Sequence, residues 1–401
     1  MRPAALPPRF DPREPEVVEN PYPTYARLRA AGPLCRSGAG SWAVTRHADV
    51  LRLQRDPRLG SQFPEHYHRL SAGDGAASAF FQRIMLYRDP PEHLRLRKLM
   101  GKAFSPAMVR RMRADIEAIT DELLAPALDG GGLDVVPELA YPLPVRVICR
   151  LMGIPEESTD EVRRFAIDLG RAFAAIVPDE ARAAADTAVG WLRERIGALL
   201  AERRRHPRED LISRLLAVED AGEALTHSEI VDNTVFSFFA GFETTVHLIT
   251  TGWAALLDHP AERARLLDRP GLAATAVEEF LRYDAPIQGT ARYLNAPVEI
   301  EGRKLRAGRV LILLLGSANH DESVFDDPAA LDIGRTPNPH VTFGGGAHLC
   351  LGAFLARMEG TIVFERLASR VREFSAAGPA HRQANTPFRA YATVPVALSP
   401  R

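Results

Sequence analysis

The sequence predicts a mainly α-helical protein with a smaller β-rich part, built as a single large domain around one long helix. Three observations carry this expectation. First, a proline-free stretch runs from Thr226 to the residue before Pro260 and opens on Thr226-His-Ser-Glu229, the pattern of a capping box. Roughly thirty helical residues at 1.5 Å each span about 45 Å, enough to cross a whole domain. Second, residues 106–128, 134–152, 156–176 and 180–206 carry helical patterning, with breaks expected at Pro126, Pro155 and Pro178. Third, strand-sized apolar runs cluster in residues 290–315 and again in 380–401.

Composition narrows the class. Length alone favours two or three domains, but no tandem repeat or inserted domain is visible, and the 401 residues offer ample material for a deep core. A formal net charge of −1 provides no global attraction to nucleic acid or to an anionic membrane. The three cysteines, Cys35, Cys149 and Cys350, make no disulfide framework and fit a reducing, cytoplasmic setting. Met1-Arg-Pro-Ala-Ala-Leu-Pro-Pro lacks the apolar centre of a signal peptide, and no apolar run approaches the roughly 20 residues of a membrane span.

In chain order, the proline-rich residues 1–20 read as extended over the surface, and Thr24 to Ala30 as a short helix stopped at Gly32-Pro33. Ser41 to Arg46 reads as a strand and His47 to Arg55 as a helix. Gly60 to Ala79 has no clear period and is expected to be a long loop, such as a lid. Pro90 and Pro91 then open a helix in which His93 and Arg97, four residues apart, share a face. Two cations there suit an anionic ligand; a solvated basic face is the ordinary alternative. Within the long helix, Ala240-Gly241-Phe242-Glu243-Thr244-Thr245 places glycine and paired threonines where helices rarely want them. Phe236, Ala240, Thr244 and His247 fall near one stripe, with Phe239 and Glu243 beside it. Gly241 is expected to open a groove there, beside a carboxylate and a hydroxyl, as in a proton relay; a core helix with one satisfied polar pair is the alternative.

Glu279 and Arg282 can pair at i, i+3, a weak motif on its own. Thr290 onwards reads as strands at Pro297 to Ile300, Lys304 to Leu305 and Val310 to Leu315, with Glu301-Gly302 as a turn. Residues 318–340 are irregular. The stretch Phe343-Gly344-Gly345-Gly346-Ala347-His348-Leu349-Cys350-Leu351-Gly352 then leads into an apolar helix from Ala353 to Leu367. A cysteine just before a helix N-terminus meets free N–H groups and the positive end of the dipole, which favour thiolate. Glycines let a backbone approach something flat and bulky. A held, shielded thiolate is what a haem iron takes as an axial ligand. A buried structural cysteine is the bland alternative. A phosphate cradle fits poorly, since the loop carries no lysine.

The spacing Phe-x-x-Gly-x-x-x-Cys-x-Gly resembles the haem-binding signature of the cytochrome P-450 family, with Phe343, Gly346, Cys350 and Gly352 at its fixed positions. The likeness extends along the chain in the family's order. Pro-Pro-Glu-His-x-x-x-Arg resembles its propionate-binding helix, which gives His93 and Arg97 that role. Ala240 to Thr245 resembles the oxygen-binding helix, with Glu243 and Thr244 as the acid–alcohol pair. Glu279, Arg282 and Arg335 match a structural network. Arg292 and His348 match further propionate contacts. His320 stands where arginine is more usual, which weakens one local contact.

The resemblance implies a single P-450 domain over residues 1–401. It also implies haem b (iron protoporphyrin IX) bound through Cys350, and activation of O2 with two electrons to hydroxylate or epoxidise an apolar, medium-to-large small molecule, as in polyketide or other secondary-metabolite tailoring. Candidate pocket residues are Phe80, Phe81, Phe236, Phe239, Ala240 and Ile287 to Gly289, under a mobile roof near Phe165 to Ala175. No flavin or iron–sulfur motif is present, so electrons would come from a ferredoxin and its reductase. Residues 94–113, with seven cations and no acid, could dock such a partner or could be a plain solvated face. A monomer is expected. A peroxide-driven enzyme and a haem-based gas-binding protein are the rival functions.

Overall fold

The computed structural model describes residues 9–37, 40–155, 159–174, 177–220, 225–383 and 388–401. The first eight residues of the proline-rich segment, the start of the 156–176 stretch and the roof residue Ala175 lie outside them.

The central helix is His227–Asp258, 32 residues long. Its capping box forms: Thr226 Oγ1 accepts from the Glu229 N–H at 3.2 Å and Glu229 Oε2 accepts from the Thr226 N–H at 2.8 Å. Helices pack against it: Pro142–Met152, Thr159–Arg171, Asp179–Arg205, Ala273–Tyr283 and Ala353–Arg370. One large apolar cluster, from Ala72 to Leu398, fills the space between them. Close approach has a cost in side-chain size. A Cβ on Gly252 would lie 2.6 Å from the Phe364 ring, and one on Gly360 would lie 3.1 Å from Val277.

The β part sits to one side. A sheet runs in the spatial order Arg9–Phe10, Leu34–Ser37, Trp42–Val44, Val310–Leu313, Thr290–Leu294, Leu59–Gly60. It carries its own apolar cluster, with Val44, Leu294, Leu311 and Leu313 fully buried. Val371–Ala376, Pro395–Pro400 and Gly132–Asp134 form a second, antiparallel sheet.

Several expectations need correction. Gly60 to Ala79 is not a loop: it folds into the helices Glu65–Ala72 and Ala76–Phe81. Their ends are held from a distance, which no local pattern reveals. Asp186 Oδ1 accepts from the Ala77 N–H at 2.7 Å, and Arg182 donates to the Ser71 and Leu70 carbonyls at 3.1 and 2.9 Å. Pro126 does not break its helix but sits inside Arg113–Gly130, which ends instead at the left-handed Gly131 (φ 77°). The N-terminal segment is not merely extended: Pro15–Glu19 is helical, and Phe10 and Val17 are buried.

Candidate active site

The glycine-rich stretch turns back on itself to present Cys350. The Cys350 N–H donates to the Phe343 carbonyl at 2.9 Å and the Gly344 N–H to the Val341 carbonyl at 2.9 Å. Gly344 and Gly346 adopt left-handed backbone angles, φ 73° and 64°. Space also forbids a side chain at Gly346, where a Cβ would lie 2.6 Å from the backbone oxygen of Gln54. A Cβ on Gly352 would lie 4.0 Å from the Cys350 sulfur, so this glycine leaves room beside the thiol.

Cys350 is solvent-accessible, whereas Cys35 and Cys149 are buried. Its thiol is nonetheless closely walled by protein. That desolvation pushes its pKa up, against the N–H groups of Gly352 and Ala353 and the charges of Arg97 and Arg357, which pull it down. The helix terminus pulls towards thiolate, as its place in the sequence suggests, while burial opposes it and raises the thiol on balance. Binding to a metal is what deprotonates such a thiol outright.

The loop is braced from two sides. Arg357 lies 4.3 Å over the Phe343 ring and pairs with Glu278 at 2.6 Å, while His340 reaches the same carboxylate at 3.0 Å. Burial would raise Glu278, but His340 and Arg357 hold it down at about 2. Behind them, Glu279 is fully buried and completely satisfied. Arg282 donates to it twice, at 2.8 and 2.7 Å, and Arg335 Nε at 3.2 Å; Asn338 Nδ2 and the Asp332 N–H add bonds at 3.1 and 3.0 Å. Arg282 spends its remaining donors on the carbonyls of Asn319, Pro328 and Ala330. A buried ion pair is tolerable only when its remaining lone pairs and protons are met in this way. His320 does not imitate arginine. Its ring stacks on Tyr22 at 4.0 Å, bonds the Tyr283 carbonyl at 2.8 Å, and is driven to about 3 by burial.

Four cationic or potentially cationic side chains from three separate segments converge near the thiol. His93 and His348 rings lie 4.0 Å apart. His93 is almost wholly buried with Nδ1 unpartnered. Its pKa is lowered by burial and then by Arg97, and that of His348 falls to about 3 through burial, then His93 and Arg292. Arg97 and Arg292 are themselves lowered by burial. Arg292 Nη1 finds only the Thr290 hydroxyl and the Ala291 carbonyl, at 2.8 and 2.9 Å. The nearby Asp89 is already engaged by the N–H groups of Ser61 and Gln62 and by Asn295. Two guanidiniums drawn out of water beside imidazoles whose charging burial opposes are best stabilised by an anion. The donor set, the unpartnered Nδ1 and the side-chain-free glycine cradle fit a flat macrocycle with two carboxylates and a thiolate-bound iron.

The central helix supplies the opposite kind of surface. Between Ile230 and Leu256 every residue is buried except Phe236, Ser237, Ala240, Gly241 and Thr244. These fall at i, i+1, i+4, i+5 and i+8, one continuous stripe. Thr244 donates its hydroxyl proton to the Ala240 carbonyl at 3.1 Å. His247 is not on the accessible stripe. It is buried with Glu243, its Nε2 3.3 Å from Glu243 Oε1, and lies against Phe388 at 5.3 Å. Gly241 does not open a ligand groove: its missing Cβ makes room for Ile148, whose Cδ1 would lie 2.9 Å away.

Phe239 is buried beside the stripe and stacks on Phe173 at 5.0 Å; Phe173 also meets Phe81 at 4.7 Å and Phe236 at 6.3 Å. Gly170 admits Phe239, whose ring would lie 2.5 Å from a Cβ there. Phe80 is completely buried and packs on Phe81 at 5.8 Å. Ile287 packs against the apolar cluster of the six-stranded sheet, and a Cβ on Gly289 would lie 3.3 Å from the Leu313 carbonyl. Sequence reasoning missed Tyr141, Phe388, Gln54 and the role of His247. Phe173 is not singled out by number, but it lies within the expected roof.

The basic segment 94–113 is less bare than its composition implies. Arg95 pairs with Glu229, Arg111 with Glu209 at 3.5 Å, and Arg113 with Glu117 and Glu365 at 2.9 and 3.1 Å. No helix among the described residues is long and apolar enough to cross a membrane.

Comparison with known proteins agrees with this geometry. The family description "Cytochrome P450" matches residues 271–389. The chain is 36% identical to a vitamin D(3) 25-hydroxylase of Pseudonocardia autotrophica, over 96% of this chain and 95% of that one. It is 36% identical to the cytochrome P450 monooxygenase PikC of Streptomyces venezuelae, over 88% and 85%. Among solved structures, CalO2 superposes with a TM-score of 0.93 at 35% identity, covering 98% of this chain and 99% of that one. P450BioI, solved with an acyl carrier protein bearing hexadec-9Z-enoic acid, gives 0.90 at 33% identity over 96% and 100%. The cysteine loop, the convergent cations and relatives along nearly its whole length place this chain in the cytochrome P450 family of haem-thiolate monooxygenases.

Proposed function

We propose that the chain works as one unit in the cytoplasm, holding haem b and inserting one atom of O2 into an apolar, medium-to-large small molecule by hydroxylation or epoxidation. Secondary metabolism, such as tailoring of a polyketide or antibiotic scaffold, is the setting that the naming of PikC, the polyketide biosynthesis cytochrome P450 PksS and nocardicin C N-oxygenase supports. The observation that carries the reading is the convergence of His93, Arg97, Arg292 and His348, in which the two imidazoles lie 4.0 Å apart and Arg97 is close enough to act on the Cys350 thiol.

When bound, the haem would supply O2 activation at iron, with thiolate donation from Cys350 favouring O–O cleavage. His93, Arg97, Arg292 and His348 would hold its carboxylates. Phe343 and the glycines on either side would exclude water from the sulfur. Thr244, its own proton committed to the Ala240 carbonyl, offers an oxygen that accepts a hydrogen bond at the accessible stripe. Glu243 would bring protons towards that stripe. Phe236, Phe239, Phe173 and Phe81 would press apolar surface against the substrate, which suits large hydrophobic ligands. A ferredoxin and its reductase would supply electrons to a monomeric chain. Steering by the 94–113 face then predicts reduction that slows as ionic strength rises.

The test is a spin-state titration of the ferric protein with macrolactones, steroids, long-chain fatty acids and polar compounds of equal size. The reading predicts saturable shifts with the apolar set. A response confined to the polar set would overturn it.

A further inference from the structure

Glu243 and His247 form a buried pair for which simple packing gives no account. Glu243 Oε1 receives the Tyr141 hydroxyl at a long 3.5 Å and faces His247 Nε2 at 3.3 Å. Glu243 Oε2 is buried and unpartnered. Both ring nitrogens of His247 are buried without a well-formed hydrogen bond, and the residue is 1% exposed. A buried carboxyl and a buried imidazole, each loosely held, are costly in isolation. The cost is relieved if they share one proton, and the loose anchoring leaves Glu243 free to change partner.

We infer that His247 is the positioning residue of the proton path: it holds a proton behind Glu243 and hands it to that carboxyl, which carries it to the Thr244 stripe. The inference rests on the monooxygenase reading for the destination of the proton, but not for the pairing itself. In the step, the Nε2–H bond of the imidazolium breaks and an O–H bond forms on Glu243 Oε1. The imidazole and the carboxyl are then both neutral, and no electron moves. Tyr141 is partly exposed and shares the same oxygen, which makes it the contact through which the pair is reloaded from solvent. Burial, with Glu243 beside it, raises the Tyr141 phenol, while Arg163 and Arg171 of the helix Thr159–Arg171 oppose that shift. Other charged groups on elements packed against the central helix are committed elsewhere. Arg193 pairs with Asp232 at 2.7 Å, and Glu279 and Arg282 pair with one another. Glu359, on the helix Ala353–Arg370, is the exception: both its carboxyl oxygens are buried without a partner.

The experiment follows the His247 ring by histidine-labelled NMR on the diamagnetic ferrous carbonyl form, in the wild type and in Glu243→Gln. Nε2 faces the carboxylate, so the pairing predicts a downfield, exchange-protected Nε2–H proton in the wild type that is lost or moved upfield in Glu243→Gln. The same Nε2–H resonance in both proteins, or none in the wild type, overturns the pairing, whatever the enzyme turns over. The second arm measures electrons lost to hydrogen peroxide. His247→Phe, which keeps the ring against Phe388, should lose at least half the coupling, and His247→Gln, which keeps a hydrogen bond but cannot hold the proton, should recover only part of it. Wild-type coupling in His247→Phe overturns the proton role even if the two resonances differ, and full recovery in His247→Gln reduces His247 to a hydrogen-bonding support and overturns it too.

Discussion

At the residue scale, the proposed reaction turns on Thr244. Its hydroxyl is already donated to the Ala240 carbonyl at 3.1 Å, so its oxygen faces the accessible stripe as an acceptor. Replacing it with alanine removes that acceptor and no packing of consequence. Thr244→Ala is expected to keep haem and substrate binding while product formed per electron pair falls roughly tenfold or more, with peroxide released instead; Thr244→Ser should restore coupling. Parallel assays of product and peroxide check both. Glu243 and Thr244 stand out in the sequence because glycine and paired threonines contradict helix propensity in mid-helix. His247 was misplaced for a simple reason. It lies three residues beyond Thr244, near enough to the stripe in angle to be assigned to it, but what decides its side is packing against Phe388, about 140 residues later.

At the scale of the element, the cysteine loop was legible and its supports were not. Glycine at 344 and 346 and cysteine at 350 are a strong local signal, while the backbone oxygen that forces glycine at 346 belongs to Gln54, at the end of the helix His47–Leu53. No window of sequence contains both. Gly346→Ala would combine a positive φ with a Cβ 2.6 Å from that oxygen. It is expected to cost about 1–2 kcal/mol or more, concentrated in the loop. The reading is loss of haem and of thiolate ligation before global unfolding, followed by absorbance and circular dichroism on one thermal ramp. Equal and simultaneous loss of both signals would place the strain elsewhere. The helices Glu65–Ala72 and Ala76–Phe81 make the same point in reverse. Their sequence is weakly helical, and they form because Arg182 and Asp186 of another helix satisfy their ends.

Across the whole molecule, the mainly helical class and the long central helix were readable from periodicity and caps, while the closure of the chain was not. The N-terminal segment, the end of the helix Ala273–Tyr283 and the C-terminal strands meet at Asp284. It takes the Tyr22 hydroxyl at 2.6 Å, Arg382 at 2.8 Å and Arg389 at 3.0 Å; Arg389 also binds the Glu19 carbonyl at 2.7 Å. Burial alone would raise Asp284, but Arg382, Arg389 and Tyr22 bring it down to about 2. A carboxyl depressed in the folded state contributes stability above its unfolded value, and that contribution is lost as pH falls through the folded one. The clamp should therefore supply roughly 2 kcal/mol at neutral pH and lose it between about pH 4 and pH 2. Denaturation of wild type and Asp284→Asn should differ above that window and converge below it; a constant difference would contradict the assignment. The claim on which everything else depends is that Cys350 binds haem iron as thiolate. Its most direct test is the absorbance spectrum of the reduced, carbon monoxide-bound protein. The account predicts the red-shifted band of a thiolate-ligated ferrous carbonyl, abolished in Cys350→Ser; a band at the unshifted position of a neutral or histidine-ligated haem in the wild type would contradict it.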